Sequence, residues 1–582
     1  MNPNWDLSYL YKGFDDPAFL ADLKRFPEEI KVEQAILDGG DDPQTKLEKL
    51  TDQQEVLGAL SDRLSSFCNL TQAVDANNAD ATKYLNVLDV IFNDSRIVSS
   101  AITRYIGSLA NLEDLIAASP KLQKVAFHLR ESAENAHHTI PEAVEPWILE
   151  MSLSGGSAFS QLRDKLDSTH TANYRGQEIP LSAVRGLAYD ADASVRKDAY
   201  EAEIASYKKM ELPMSYCLNA VKMEARTLSK AKGYPSVLDM TLSDSRMDRA
   251  TLDAMLTAIR EYLPHFRRYM KAKAKLLGHQ NGLPFYDLFA PVGQNVHTYT
   301  VEEAREMLVR LMGQFTPEMG KFIDNAFEQR WIDIYPREGK TGGAFCSPVH
   351  FADRSLVMTN FTGSFSDVST IAHELGHAWH NRCLAGLPYS LIDTPMPLAE
   401  TASIFNEQLL AHMVLKDASP DEQLSLLEGN LMETNQTIVD PPSRYLFETE
   451  VIDTRADHAM NVDELKDAML RAQEASYGDG LDPEIRHPYM WACKSHYYSS
   501  GYNFYNFPYA FGELFAKGVF AQYLQKGAAF VPDYCRLLRS WGSGTIADVA
   551  ASVGIDVRNP DFWRSSLEVV KGNIDKFCEL VK

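Results

Sequence analysis

The segment IAHELGHAWH, from Ile371 to His380, contains two histidines four residues apart, with a glutamate directly after the first. Because an α-helix repeats every 3.6 residues, His373 and His377 lie one turn apart on one helical face, where both imidazoles can bind the same ion. Glu374 lies one position around the helix, so its carboxylate can reach a water at that ion without being a ligand. The pattern predicts a helix with two metal ligands and a general base. The alternative is a surface helix with two histidines.

The ends of this helix are also indicated by the sequence. Ser366 or Asp367 can cap the first turn, and Gly386 followed by Pro388 can end the helix. A catalytic zinc ion takes three protein ligands and keeps one position open. A third ligand is therefore expected nearby in the chain.

The segment PLAETASIFNEQLL, from Pro397 to Leu410, predicts a second helix with Pro397 in its first turn. Glu400 follows in that turn and Glu407 lies two turns later, so the two carboxylates face the same way. Glu400 is predicted as the third metal ligand, and Glu407 as the partner that orients a ligand histidine through a hydrogen bond. The alternative is a pair of solvated carboxylates.

The rest of the chain indicates a mostly helical protein. Apolar residues recur at helical spacing from Leu47 to Phe67, and Thr300 and Glu303 have the spacing of a capping box. The best candidate strand runs from Ser355 to Gly363. Its part from Leu356 to Phe361, directly before the metal helix, is predicted to bind a peptide along its edge as an added strand. The alternative is an ordinary core strand. A chain of 582 residues is expected to form more than one domain.

Charge and cysteine content narrow the class of partner and the compartment. The formal net charge of -23 at pH 7 argues against nucleic acid or an anionic membrane as the main partner, because both repel an acidic protein. The seven cysteines are scattered without a CxxC pair, which indicates free thiols in a reducing compartment. No signal peptide and no apolar stretch of about 18 residues is found. The sequence predicts a cytoplasmic protein and specifies no oligomeric partner.

The string HELGHAWH followed by AETASIFNE resembles the M3 family of zinc metallopeptidases, specifically its oligoendopeptidase F branch. In that family, the HExxH helix is followed by a helix with the pattern E-x-x-S-x-x-x-E. Glu400, Ser403 and Glu407 match this pattern. The resemblance implies that Glu400 binds the zinc ion.

A second stretch, HYYSSGYNFYNFPYAFG, resembles the same family. There the family has a histidine followed by two tyrosines, seven residues apart, that line the active site. His496, Tyr502 and Tyr509 match these positions, and Tyr505 is a weaker match. The hydroxyl of Tyr502 or Tyr509, together with His496, is suited to donate hydrogen bonds to the oxyanion that forms during peptide hydrolysis.

The fold implied by the resemblance is mainly α. It has a zincin-type catalytic domain with a small β-sheet beside the HExxH helix, and helical lobes enclose a deep cleft. We expect a helical N-terminal lobe at residues 1–200 and the catalytic domain at residues 201–582. A deep cleft admits short, unstructured peptides and excludes folded proteins.

The implied activity is zinc-dependent hydrolysis of internal peptide bonds in short oligopeptides. One zinc ion is expected, and its predicted ligands are His373, His377 and Glu400. The predicted catalytic residues are Glu374, His496, Tyr502 and Tyr509. Two alternatives remain open: a helical HExxH zinc carboxypeptidase, and a non-catalytic binding scaffold that contains zinc.

Overall fold

The computed structural model describes residues 4–141, 143–293 and 297–582. Most of these residues are helical, which confirms the predicted mainly α class. The α-helices are, in chain order, α1 (Pro17–Asp38), α2 (Pro43–Val74), α3 (Ala79–Gly107), α4 (Leu112–Ala118), α5 (Pro120–Lys124), α6 (Ala126–Ala136), α7 (Glu145–Ser154), α8 (Gly156–Thr169), α9 (Leu181–Gly186), α10 (Ala193–Tyr207), α11 (Glu211–Ala231), α12 (Val237–Asp244), α13 (Arg249–Leu276), α14 (Val301–Phe315), α15 (Pro317–Glu328), α16 (Phe365–Leu384), α17 (Thr401–Asp417), α18 (Pro420–Ile438), α19 (Asp440–Thr454), α20 (Val462–Tyr477), α21 (Met490–Cys493), α22 (Phe507–Lys526), α23 (Val531–Arg539), α24 (Ile546–Ala551) and α25 (Pro560–Leu580).

The strands form two small sheets. One is an antiparallel hairpin of β1 (Thr171–Tyr174) and β2 (Gln177–Pro180). The other has the order β3-β5-β4, with β3 (Ile332–Asp333) parallel and β4 (Phe345–Val349) antiparallel to β5 (Arg354–Met358). The predicted small sheet beside the metal helix is therefore present.

The strand before the metal helix differs from its prediction in two ways. It ends at Met358 instead of reaching Gly363, which has a positive φ of 105°. It is also the central strand, so neighbours on both sides occupy its backbone hydrogen bonds. The prediction that a peptide binds along the edge of Leu356–Phe361 is wrong for this reason. Among the described residues, β4 pairs only with β5, so its other edge is the unpaired one.

The chain divides into two compact units, each built from three separate segments. Unit 1 comprises Met1–Thr139, Val296–Val414 and Gln522–Ile555. Unit 2 comprises Ile140–Asn295, Leu415–Ala521 and Asp556–Lys582. The predicted lobe boundary at residue 200 and the predicted cleft between lobes stay predictions.

Unit 1 contains the three-stranded sheet and the predicted metal helix, α16. This helix packs against β4, β5 and α23. Its buried apolar residues recur three or four positions apart, at Val368, Ile371, Leu375 and Ala378. One face of α16 is thus fixed in the core, and His373 and His377 lie on a different, partly buried face.

Unit 2 has a helical core in which α11 packs against α8 and α19, and α13 packs against α25. All seven cysteines of the chain are free thiols. Within the described parts of the chain, none of the helices has both the length and the apolar character needed to cross a bilayer.

Candidate metal centre

The first turn of α16 is fixed by a capping box. Ser364 is the N-cap, and its hydroxyl accepts a hydrogen bond from the backbone N–H of Asp367 at 3.1 Å. In return, Asp367 Oδ2 accepts the backbone N–H groups of Thr362, Gly363 and Ser364 at 2.9–3.0 Å. The cap is therefore two residues earlier than the predicted Ser366, and Asp367 is the partner within the box. This anchoring sets the rotation of the helix that carries both histidines.

Three side chains from α16 and the start of α17 converge on one point in unit 1. Glu400 Oε2 lies 3.2 Å from His373 Nε2 and 3.3 Å from His377 Nε2. Ligand atoms about 2.0–2.2 Å from a tetrahedral zinc ion lie roughly 3.3–3.6 Å from one another. The two distances from the carboxylate oxygen lie close to this range, and two imidazoles with one carboxylate have the chemistry of a zinc ligand set.

A second carboxylate, that of Glu374, lies beside the two histidines. Ligand atoms of His373, Glu374 and His377 lie within 4.8 Å of one another, so these three also form a possible metal group. The shorter distances from Glu400 to both Nε2 atoms favour Glu400 as the ligand. Glu374 is only 5% exposed, and burial raises the pKa of its carboxyl group. A raised pKa suits a group that accepts and returns a proton near neutral pH.

The imidazole of His373 is held from its other side by Glu407. The Nδ1–H group donates to Glu407 Oε1 at 2.8 Å, which leaves the Nε2 lone pair available to a metal. Burial lowers the pKa of His373, but its hydrogen bonds with Glu400 and Glu407 outweigh burial and raise the pKa to about 10. A proton and a metal ion compete for Nε2, so metal affinity falls as the pH falls.

Glu400 is held in place by a residue of its own segment. The Ser403 hydroxyl donates to Glu400 Oε2 at 2.7 Å. Burial raises the pKa of Glu400, but its hydrogen bonds with His373 and His377 hold the pKa well below its usual range. The helix α17 begins at Thr401, so Glu400 directly precedes it instead of lying in its first turn. The predicted separation of seven residues still brings Glu400 and Glu407 to the same imidazole.

The helices α16 and α17 approach closely at Gly376. A Cβ atom there would lie 2.5 Å from the backbone oxygen of Ala402 and 2.7 Å from Ser403 Cα. Asn406 is buried, and its Nδ2 donates to the backbone oxygen of Ala372 at 3.1 Å. Neither contact was anticipated, although a glycine inside a helix is a known sign of close backbone approach.

We expect Gly376→Ala to lower the free energy of unfolding by about 1–3 kcal/mol, because the added methyl group overpacks two backbones. Metal affinity should fall with it, since Glu400 directly precedes α17 and Glu407 lies on it. The measurements are thermal unfolding and the zinc content of purified protein. Gly429→Ala is the matched control: its Cβ in α18 meets nothing within 4 Å. Unchanged stability and zinc content in Gly376→Ala would contradict the close-packing requirement.

The converging side chains line a pocket of about 590 Å³ in unit 1. The strand β4 forms one side of this pocket, through Phe345, Cys346 and Pro348. The strand with the unpaired edge is thus beside the candidate metal ligands.

The other predicted residues form a cluster within unit 2. The ring of His496 lies 5.1 Å from that of Tyr505 and 5.9 Å from that of Tyr509, and Tyr502 lies 6.4 Å from Tyr505. Tyr502 is 72% exposed and Tyr509 is 37% exposed. The structure therefore brings together all four residues that the sequence indicated in this segment, including the weaker match Tyr505.

The environment of His496 keeps its imidazole neutral. Burial, with further contributions from Arg444 and Lys494, lowers its pKa to about 4. Its Nδ1 atom is buried and has no hydrogen-bond partner among the described residues. Near pH 7 the ring therefore carries one N–H donor and no charge.

Comparisons with known proteins agree over the length of the chain. The profile of peptidase family M3 matches residues 186–569, and a profile described as oligopeptidase F matches residues 108–171. The oligoendopeptidase F homolog of Lactococcus lactis is 24% identical over 601 residues, covering 99% of this chain and 97% of the relative. Oligopeptidase PepF of Bacillus subtilis is 23% identical and covers 92% and 81%. A putative peptidase from Chlamydophila abortus has the same fold, with a TM-score of 0.87, 23% identity, and coverage of 100% and 99%.

Proposed function

The chain belongs to peptidase family M3, and from this premise we propose that it is a zinc-dependent endopeptidase that cuts internal bonds of short peptides. As a member of the family it is a metallopeptidase. One observation supports zinc as the metal and His373, His377 and Glu400 as its ligands. Glu400 Oε2 lies 3.2 and 3.3 Å from the Nε2 atoms of His373 and His377. Two histidines and one glutamate are a ligand set of catalytic zinc.

Glu374 is the general base of the proposed reaction. A bound zinc ion supplies a Lewis acid that lowers the pKa of water and polarises a carbonyl group. The Glu374 carboxylate accepts the proton of the attacking water and later returns it to the leaving amine. Its position next to His373 in the sequence and its burial in the same pocket support this role.

Tyr502, Tyr509 and His496 are the proposed donors to the oxyanion. Each phenol has one O–H group, and the neutral imidazole has one N–H group. Such donors stabilise the charge that develops on the carbonyl oxygen as it becomes tetrahedral. Support comes from the exposure of both tyrosines and from the ring cluster that they form with His496 through Tyr505.

The backbone of the substrate has a natural partner in β4. A peptide added along the unpaired edge of this strand would be held by backbone hydrogen bonds, which do not depend on the side chains of the substrate. Pro348 lacks an N–H group, so it offers no backbone donor to such a peptide. This edge replaces the incorrectly predicted edge of β5.

The preference for internal bonds of short peptides rests on the relatives. Those of Lactococcus lactis and Bacillus subtilis are named oligoendopeptidase and oligopeptidase, which favours internal cleavage over the carboxypeptidase alternative. The free state of all seven cysteines supports the proposed location in a reducing compartment, the cytoplasm.

The substrate class is tested by length. Peptides of increasing length that contain one common cleavage site should be cut efficiently when short, and unfolded casein should be cut slowly at equal concentration of sites. Mass spectrometry identifies the bonds that are cut. Glu374→Gln protein prepared in the same way serves as the control for contaminating peptidases. Efficient conversion of casein to small fragments by the wild type would contradict the oligopeptide preference and leave the zinc peptidase proposal standing.

A further inference from the structure

The segment 499–506 between His496 and α22, which we call the tyrosine segment, has one exposed tyrosine, Tyr502, and buried polar residues. Tyr502 is 72% exposed, whereas Asn503, Phe504 and Asn506 are each about 2% exposed. Burying an amide side chain is unfavourable unless it forms hydrogen bonds. The inward residues of this segment therefore need specific partners in unit 2.

Those partners are a buried ion pair. Lys222 Nζ on α11 lies 2.7 Å from Glu448 Oε1 on α19, and both side chains are at most 1% exposed. The same ammonium group donates to Asn503 Oδ1 at 2.9 Å. The two charges are thus joined to the tyrosine segment as well as to each other.

Glu448 binds the segment with both of its oxygens. Oε1 accepts the backbone N–H of Phe504 at 3.0 Å, and Oε2 accepts Asn506 Nδ2 at 2.8 Å. Together with the bond from Lys222, three hydrogen bonds hold three of the four residues 503–506. Charge-assisted bonds of this kind are stronger than neutral ones, and they are less screened when buried.

The backbone at Phe504 is held in a conformation that this residue rarely adopts. Its φ is +52°, in the left-handed region, where a bulky aromatic residue is disfavoured. Such strain persists only when the surroundings determine the conformation, and it concentrates at functional segments. The contacts with Lys222 and Glu448 are the surroundings that do so here.

Within the described part of the chain, a second buried ion pair in unit 2 has no hydrogen bonds to residues 499–506, so burial of an ion pair does not by itself produce contacts with that segment. Lys273 and Glu428 are equally buried and lie 2.6 Å apart. Their further hydrogen bonds go to the backbone oxygen of Leu288 and the hydroxyl of Tyr269. This pair joins helices to one another, and among the described residues it has no hydrogen bond with the tyrosine segment, so it offers a matched comparison.

We propose that Lys222 and Glu448 are positioning residues for the tyrosine segment. They hold residues 503–506 so that the half-buried Tyr505 packs against His496 and the exposed Tyr502 lies next to Tyr505. This inference rests on the proposed function in one respect, namely that the tyrosines contact the substrate. Neither Lys222 nor Glu448 is exposed, so both act through the segment and not on the substrate.

The test uses the full chain with both charges removed together, as Lys222→Met combined with Glu448→Gln. Removing both avoids an unpaired buried charge, which would destabilise the protein by itself. We expect amide hydrogen exchange in residues 499–506 to speed up at least about tenfold, since these amides lose anchoring contacts. We also expect kcat to fall by roughly tenfold to a hundredfold with a smaller change in KM, because small displacements of catalytic groups have effects of this size. Zinc content should not change.

The control is Lys273→Met combined with Glu428→Gln, which removes an equally buried pair. It should leave exchange in residues 499–506 and kcat close to wild type, even if both double variants unfold at a similarly lowered temperature. Asn503→Ala is a milder second variant that cuts the Lys222 bond and keeps the ion pair. It should change exchange and kcat in the same direction, by less.

The inference is overturned if exchange in the segment is unchanged in the Lys222/Glu448 variant, or if the control pair lowers kcat as much. It is also overturned if exchange rises while kcat stays at the wild-type value. Failure of the proposed function gives a different result, because the wild type would then not depend on Glu374 for turnover. The exchange measurement remains informative in that case, because it needs no substrate and reports directly on how Lys222 and Glu448 hold the segment.

Discussion

Glu374→Gln is expected to lower kcat by about 10²- to 10⁴-fold, the contribution typical of a general base. Glutamine has nearly the same shape as glutamate but cannot accept a proton at neutral pH. Because Glu374 is proposed not to bind the metal, the variant should keep its zinc. Its fold should also persist, since the buried Glu374 carboxylate forms no ion pair with a lysine or arginine among the residues that the structure describes.

The measurement is steady-state kinetics on an internally quenched peptide, together with zinc content and thermal unfolding of the same preparation. Asp393→Asn is the control, because Asp393 lines the same pocket and the change also removes one negative charge. Its kcat should stay within a few-fold of the wild type, since Asp393 is exposed and its charge is screened by solvent. Substantial turnover by Glu374→Gln with zinc still bound would contradict the general-base role.

The part of the site that was predictable is the part governed by helical periodicity. His373 and His377 are four positions apart, and Glu400 and Glu407 are seven positions apart. Helical periodicity therefore predicts that the two members of each pair face the same way. The structure brings Glu400 to both histidines and Glu407 to one of them. The assignment of these residues as ligands stays a prediction until a metal is measured.

The strand β4 was missed because its pairing is not local in the sequence. The stretch Phe345–Val349 follows a Gly-rich turn and contains Pro348. Its sequence is therefore more typical of a loop than of a strand. Its register is set by β5, which supplies the antiparallel partner. Because the sequence does not indicate β4, it wrongly predicts that β5 has a free edge, whereas β5 is the central strand.

Other features of the structure depend on tertiary contacts, so the sequence alone does not predict them. Lys222 and Glu448 are 226 residues apart in the chain, and no pattern in either segment indicates that they meet. The positive φ of Phe504 likewise depends on these partners, since an aromatic residue does not favour it. The tyrosines were found through a family resemblance, whereas the groups that hold their segment become visible only in the folded structure.

Glu400→Ala is expected to weaken zinc binding by more than about a hundredfold, because loss of an outer hydrogen-bond partner alone costs about 10- to 100-fold. The carboxylate is the one proposed ligand outside α16, and nothing else in its segment is placed to replace it at 3.2–3.3 Å from both imidazoles. Glu407→Ala should have the smaller effect, since Glu407 contacts only the Nδ1 side of His373. The zinc affinity of each variant is measured by titration, and its metal content is then determined after dialysis. These values show which substitution weakens zinc binding more. Wild-type affinity in Glu400→Ala would remove Glu400 from the ligand set.

The proposed function is tested most directly by removing the metal and returning zinc in steps while cleavage of an internally quenched peptide, blocked at both ends, is followed. Chelation should abolish cleavage while thermal unfolding shows that the protein is still folded. Activity should return in proportion to added zinc and reach a plateau at one ion per chain, with cleavage at an internal bond. Cleavage that persists in fully chelated protein would contradict the metal mechanism, and a blocked peptide left intact while unblocked peptides lose C-terminal residues would contradict the endopeptidase assignment.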